Sequence, residues 1–204
     1  MADRGQETEA KFYVLHLDKM IGRLQHLEAR LIQARLLETN LRFDLPDASL
    51  RSRRQVLRLR YDTQARLTYK GAGENKGGVL DRLEIEFVVE DGEKARQFLE
   101  ALGYQKSAYY EKYRATFELE QVRIMLDEMP YGNFVEIEGE TVEQIRSVTE
   151  RLGLTWDTAI ASSYTALFED LQRTLQVSFQ DISFENFSGI QVRPADLGVR
   201  PADE

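Results

Sequence analysis

The chain has 204 residues, enough for one sizeable hydrophobic core and short for two. Its 42% hydrophobic and 30% charged residues are those of an ordinary globular chain, and no apolar run is long enough to span a bilayer. A net charge of −8 argues against coating nucleic acid, and with no cysteines and no secretory pattern in residues 1–11 a cytoplasmic protein without nucleic-acid or membrane partners is expected.

Strand-like alternation predicts eight strands, at 7–15, 31–43, 55–61, 65–70, 79–89, 109–118, 122–127 and 134–140. Helical spacing interrupts them at 18–28, where Met20, Ile21, Leu24 and Leu27 share a face, and at 91–102, where Ala95, Phe98, Leu99 and Leu102 do. Two more helices are predicted at about 141–153 and 159–176. The links 71–78 and 129–133 carry the glycine, proline and asparagine of turns. The first, GAGENKGG, lacks the Gly-Lys-Ser/Thr ending and the following helix of a phosphate loop. After Ile190 the phrases VRPADLG and VRPADE have little apolar content, so 1–187 is expected as one domain and 188–204 as a flexible tail or a partner contact.

Residues two apart on a strand share a face. That rule groups Glu7, Glu9 and Lys11 against Ala10, Phe12 and Val14, and Arg58 with Arg60 against Leu57, Leu59 and Tyr61. It likewise groups Arg66, Thr68 and Lys70; Arg82, Glu84 and Glu86; and Lys112 with Arg114. Asp127 is set apart from Ile124 and Leu126, and Glu136, Glu138 and Glu140 oppose Val135 and Ile137. On one strand this pattern describes a half-buried sheet with its charges in water. Here sign is segregated by strand, with carboxylates on the first and last strands and cations between them. A closed sheet with helices on its apolar outside would enclose these groups in a charged lumen. Such burial is tolerable when the charges are paired or matched by a ligand. A polyphosphate with Mg²⁺ or Mn²⁺ fits, because carboxylates are hard ligands and Arg and Lys hold phosphate oxygens. Zinc does not, with no cysteine and only His16 and His26 available near the first helix.

The run Glu7-Thr-Glu-Ala-Lys11 resembles the ExExK signature of the CYTH superfamily, the triphosphate tunnel metalloenzymes that include class IV adenylate cyclases and thiamine triphosphatases. The motifs LRLR (57–60), LTYKG (67–71), RLEIE (82–86), EKYR (111–114) and FVEIEGE (134–140) are similar to the family's successive strand motifs, in order, across 7–167. The resemblance implies an α+β fold with an eight-stranded antiparallel barrel, helices outside it, and hydrolysis or cyclisation of a triphosphate compound with a divalent metal. It implies metal ligation by Glu7, Glu9, Glu136 and Glu138, with Glu84 or Glu86 and Asp127 serving a second metal or orienting water. Lys11, Arg58, Arg60, Lys70, Lys112 and Arg114 would grip the phosphates. In hydrolysis a lysine of depressed pKa, Lys11 or Lys70, would orient and deprotonate the attacking water. In cyclisation the nucleophile would be the substrate's ribose 3′-hydroxyl.

One departure is that no lysine follows Lys112; only arginines such as Arg146, Arg151 and Arg173 do. The run Ser162-Ser163-Tyr164 is similar to a Ser-Tyr element of the family's C-terminal helix, and its plain reading is helix packing. A metal-dependent triphosphatase is the leading expectation, a class IV adenylate cyclase the alternative, and a noncatalytic polyphosphate- or nucleotide-binding module a third. A lipocalin-like carrier would need the opposite parity. The sequence leaves a homodimer open.

Overall fold

The structure is a computed structural model and describes residues 5–204, except for the side chain of Lys76. In chain order the elements are β1 (Gln6–Val14), α1 (Leu17–His26), β2 (Arg30–Asp44), the single-turn α2 (Ser49–Ser52), β3 (Val56–Tyr61), β4 (Ala65–Lys70), β5 (Glu74–Lys76) and β6 (Val79–Val89). There follow α3 (Gly92–Ala101), β7 (Gln105–Leu119), β8 (Val122–Met129), β9 (Gly132–Glu138), α4 (Val142–Arg151) and α5 (Tyr164–Leu175). Short 3₁₀ turns lie at Trp156–Thr158 and Pro194–Leu197.

Eight of the strands form a ring in the order β1-β9-β8-β7-β2-β3-β4-β6, closed by antiparallel pairing of β6 with β1. Closure leaves these strands without a free edge. The ninth, β5, is an addition on β6, formed inside the stretch that the sequence reads as a plain loop. The chain is therefore α+β with an eight-stranded antiparallel barrel, as its alternation predicts.

The outward faces are apolar where helices cover them. Met20 and Leu24 of α1, Ile145 and Val148 of α4 and Leu152 just after it pack with Phe12, Ile124 and Ile137, all nearly or wholly buried. Each such side chain contributes roughly 1.5–3 kcal/mol by leaving water. A Thr141–Gln144 capping box fixes where α4 begins. On the other side Leu99 of α3 packs on Phe43 and Leu59. Cover is incomplete over β6, where Leu83, Ile85 and Phe87 remain 44%, 51% and 53% exposed.

The fourth long helix lies across one end of the barrel rather than along its side. Tyr164, Leu167, Phe168 and Leu171 of α5 meet Tyr13, Tyr110, Met129, Tyr131 and Phe134 in a second apolar cluster that closes this end. Tyr131 and Tyr164 both set ring edges against Phe134. Gly132 permits the close turn here: its φ is +149°, and a Cβ would stand 2.6 Å from the Tyr13 ring. The helix starts five residues later than spacing predicts, because Ser163 caps it by accepting from the Ala166 N–H.

Residues 188–204, set apart in the sequence as a flexible tail, lie against β1 and α5. Leu197 and Ala202 are buried, and the Ala202 N–H donates to the Tyr13 carbonyl at 2.9 Å. Asp203 accepts from the Leu15 and His16 N–H groups at 2.9 and 3.0 Å. A few apolar residues and one carboxylate suffice for this docking, too little to register as hydrophobic patterning.

Candidate active site

The barrel encloses a cavity of about 570 Å³ lined by ten Lys and Arg and eight Asp and Glu side chains among the described residues. In a chain of net charge −8 the lumen thus carries an excess of cation. The closed end is where α5 begins, and Ser163, Tyr164 and Thr165 form part of its lining. The open end is rimmed by Gln33 of β2, Asp62 just after β3, Val88 of β6 and Arg123 of β8.

One wall, made by β1 and β9, carries carboxylates. Pairing of these strands sets Glu9 opposite Glu138 and Lys11 opposite Glu136. Glu7 accepts from Lys70 at 2.6 Å and from Arg82 at 2.8 Å. Burial opposes the charge on Glu7, but Lys70 and Arg82 outweigh it and hold its carboxyl well below the ordinary range. Glu136 meets Lys11 at 3.2 Å and also Arg114, and despite its burial these cations hold it well below that range. Glu9 behaves oppositely: burial, then repulsion from Glu7 and Glu136, pushes its carboxyl up. Burial also raises Glu138. Glu9 accepts from Arg82 at 3.2 Å, and the one ion pair of Glu138 among the described residues, with Arg123, is long at 3.8 Å.

Among the described residues no three carboxylates or histidines converge as a ready-made metal cage. The donor chemistry nevertheless fits a hard divalent cation. Glu9 and Glu138 present carboxylate oxygens, adjacent in register, whose ionisation burial and neighbouring charge oppose. His16 and His26 are exposed, away from this wall.

The facing wall, from β7 through β2 and β3 to β4, is cationic. Arg58 is buried and donates to Thr68 and Glu86 at 3.2 Å, while Arg60 reaches Glu86 at 2.8 Å. Lys112 is 2% exposed, 3.0 Å from Asp127 and 3.6 Å from Glu38. Buried polar atoms that make no hydrogen bond cluster here: Oε2 of Glu38, the Asn40 side-chain amide, and Nε of Arg58 and Arg60. Polar atoms left this way mark space for water or a ligand.

The two lysines expected to deprotonate water differ. Lys70 sits 2.6 Å from Glu7 and 3.1 Å from Glu84. Burial lowers its pKa, but Glu7 and Glu9 outweigh burial and raise it above the ordinary value. The expectation of a depressed pKa is thereby corrected for Lys70: neighbouring carboxylates, invisible in its own strand, keep it charged. Lys11 stands 4.2 Å above the Tyr164 ring and donates to the Ser162 carbonyl at 3.3 Å.

Asp127 is expected from the resemblance to serve a second metal or to orient water. It is fully buried, beneath the lining, and its oxygens accept from Lys112 at 3.0 Å, from Tyr164 at 2.7 Å and from Arg114 at 2.6 and 2.5 Å. Three of these donors share Oδ2 and one, from Arg114, reaches Oδ1, so this carboxylate ties Lys112, Arg114 and Tyr164 together beneath the lumen. Glu84 and Glu86 do line the cavity, on the cationic side. Burial, with Glu7 opposing Lys70, pushes the Glu84 carboxyl up to about 7, whereas Arg60 and Arg58 overcome burial and lower Glu86.

Alternation missed Glu38 and Arg42, although both share a lumen-facing parity on β2. Arg66 and Arg82 were grouped correctly by face yet not assigned to the site. Tyr110 and the 163–165 segment lie at the closed end, where only tertiary packing brings them. Arg146, Arg151 and Arg173, the cations after Lys112, do not line this cavity.

A closed antiparallel barrel with a polar, ion-lined lumen and one plugged end is a blind tunnel with a surplus of cations inside. A CYTH domain family model matches residues 5–152, and the chain belongs to that family. A Methanocaldococcus jannaschii protein named "Putative adenylate cyclase" is 27% identical over 172 residues, 79% of this chain and 97% of that protein. A solved Vibrio parahaemolyticus structure, also described as a "putative adenylate cyclase", superposes with a TM-score of 0.73 at 20% identity, covering 81% of this chain and 99% of that one. A Hippeastrum structure described as a "putative adenylyl cyclase" that "reveals a dominant" triphosphatase activity gives 0.60 at 16% identity, covering 80% and 95%. These two structures share the fold.

Proposed function

We propose that this protein is a divalent-metal-dependent phosphohydrolase acting on inorganic triphosphate or a triphosphorylated organic compound held in the tunnel. The observation that carries this reading is the surplus of cationic side chains inside a barrel whose chain is acidic overall. An enclosed polyanion site is the simplest use of such a lumen. Glu9 and Glu138, with Glu7 and Glu136, would hold Mg²⁺ or Mn²⁺. The ion, when bound, would neutralise phosphate charge and align oxygens for displacement.

This chain's own residues supply the rest. Arg58, Arg60, Lys70 and Lys112 grip phosphate oxygens, and their fixed positions stabilise charge that moves to the leaving group as the bridging P–O bond breaks. Arg114 is tied to Asp127 and Glu136, so it orients the carboxylate wall as well as facing the substrate. Lys11, held between Glu136 and the Ser162 carbonyl, is the residue placed to orient the attacking water. The second reading, cyclisation of ATP to cyclic AMP and pyrophosphate, is favoured by the name of the Methanocaldococcus relative. It uses the same grip with a ribose hydroxyl as nucleophile.

The two separate on products. Incubation with Mg²⁺ or Mn²⁺ and either inorganic triphosphate or ATP is expected to release orthophosphate from triphosphate without cyclic AMP from ATP. Cyclic AMP without triphosphate hydrolysis would replace the first reading by the second.

A further inference from the structure

Arg42 of β2 stands directly opposite Arg58 of β3 in the antiparallel ladder, on the lumen face. Like charges in that position repel and weaken a sheet. Arg58 has Glu86 as a counter-charge at 3.2 Å. Among the described residues Arg42 has no carboxylate within ion-pair distance, and its side-chain hydrogen bond goes to the Thr165 hydroxyl on the first turn of α5. Tyr110, whose hydroxyl lies 3.5 Å from Arg58, completes this corner of the cavity. Arg58 is itself 8% exposed, and its Nε finds no partner. A half-buried guanidinium without an acid of its own, set against a buried one, is a costly arrangement that an anion relieves.

The place of this pair decides what kind of anion. It lies at the end closed by α5 and the Tyr13–Phe134–Tyr164 rings, so a polyphosphate must enter from the other end with its unsubstituted terminal phosphoryl group leading. We propose that Arg42, with Arg58 and Thr165, forms a subsite at the closed end of the tunnel that binds this leading phosphoryl group. An organic substituent on the substrate then stays at the open end. The inference rests on the tunnel being a polyphosphate site, and adds a residue and a direction of entry to it.

The test is calorimetric titration of the metal-free protein with inorganic triphosphate, paired with thermal melting in the presence and absence of the same anion. Arg42→Gln is expected to weaken binding at least about tenfold, the effect of losing charged hydrogen bonds. Arg42→Lys, which keeps the charge and loses the fork, is expected to recover part of that loss. Arg173→Gln, on the exposed surface of α5, should bind as the wild type does. Because the substitution removes a repulsion, Arg42→Gln should melt no lower than wild type without ligand, yet gain a smaller shift when triphosphate is added. A drop in the unliganded melting point with the ligand shift retained would make Arg42 a structural residue and overturn the subsite. Equal triphosphate affinity in wild type and Arg42→Gln would also overturn it, while leaving the tunnel as the binding site. If the wild type binds triphosphate neither without metal nor with Mg²⁺ present, the subsite and the polyphosphate reading fall together.

Discussion

Glu9 and Glu138 face one another across the β1–β9 ladder, and both are held above the ordinary carboxylate pKa range. A pair that resists ionising in a metal-free lumen is poised to trade protons for a cation. Replacing Glu9 or Glu138 by glutamine should therefore leave the metal-free protein as stable as wild type or more so. The same change should abolish the rise in melting temperature produced by Mn²⁺ and lower triphosphate hydrolysis by about two orders of magnitude, the usual scale for removing a charge-stabilising group. Differential scanning fluorimetry and phosphate release check the two halves separately.

Stability of the metal-free protein should depend on pH around neutrality. Glu84 is shifted from an ordinary 4.5 to about 7, so the folded state binds its proton more tightly than the unfolded state does. Its stabilising contribution is complete below about 4.5 and is lost as pH rises through about 7. Glu9 and Glu138 act in the same sense. The lowered carboxylates Glu7, Glu86 and Glu136 contribute oppositely, in the acid window below their ordinary value. Melting of the metal-free protein should accordingly decline from pH 5.5 to 8, by an amount that added Mn²⁺ offsets increasingly. Calorimetry in buffers of different ionisation enthalpy should show proton release on metal binding.

Asp127→Asn distinguishes an anchor from a metal ligand. Lys112 and Arg114 would lose their shared buried counter-charge, and breaking such a pair costs about 3–5 kcal/mol. The expected result is a large loss in chemical-denaturation stability with Mn²⁺ affinity per folded molecule unchanged. Tyr164→Phe, which removes one donor to Asp127, should cost about 1 kcal/mol.

Gly132→Ala tests the plug. The new methyl would meet the Tyr13 ring at 2.6 Å, at a φ of +149° that side chains rarely adopt. A loss of about 2–4 kcal/mol is expected, from strain and overpacking together, and equilibrium unfolding measures it.

The barrel was legible because period-two alternation is a local property, and every charged face from Glu7 to Glu138 obeys it. The ionic lumen was legible for the same reason: Arg58 with Arg60 and Glu136 with Glu138 declare their shared faces within five residues. The partners across the lumen were not legible. Lys70 looks like a lysine among cations along β4, and only closure of the ring brings Glu7 to it. Asp127 obeys the alternation yet ends beneath the surface, because Tyr164, 37 residues on, reaches over to it. Arg42 and the placement of α5 across the barrel end depend on packing between segments far apart in sequence. The docking of 188–204 rests on a few scattered apolar side chains, backbone hydrogen bonds at Ala202 and the Asp203 carboxylate, none of which leaves a periodic trace.

The most direct test of the lumen as the place of chemistry is a crystal soaked with Mn²⁺ and inorganic triphosphate, read by anomalous scattering. A manganese peak between β1 and β9 beside Glu9 and Glu138, with phosphate density against Arg58 and Arg60, is the predicted result. Manganese and triphosphate bound on the barrel's exterior, with the lumen holding water alone, would contradict it.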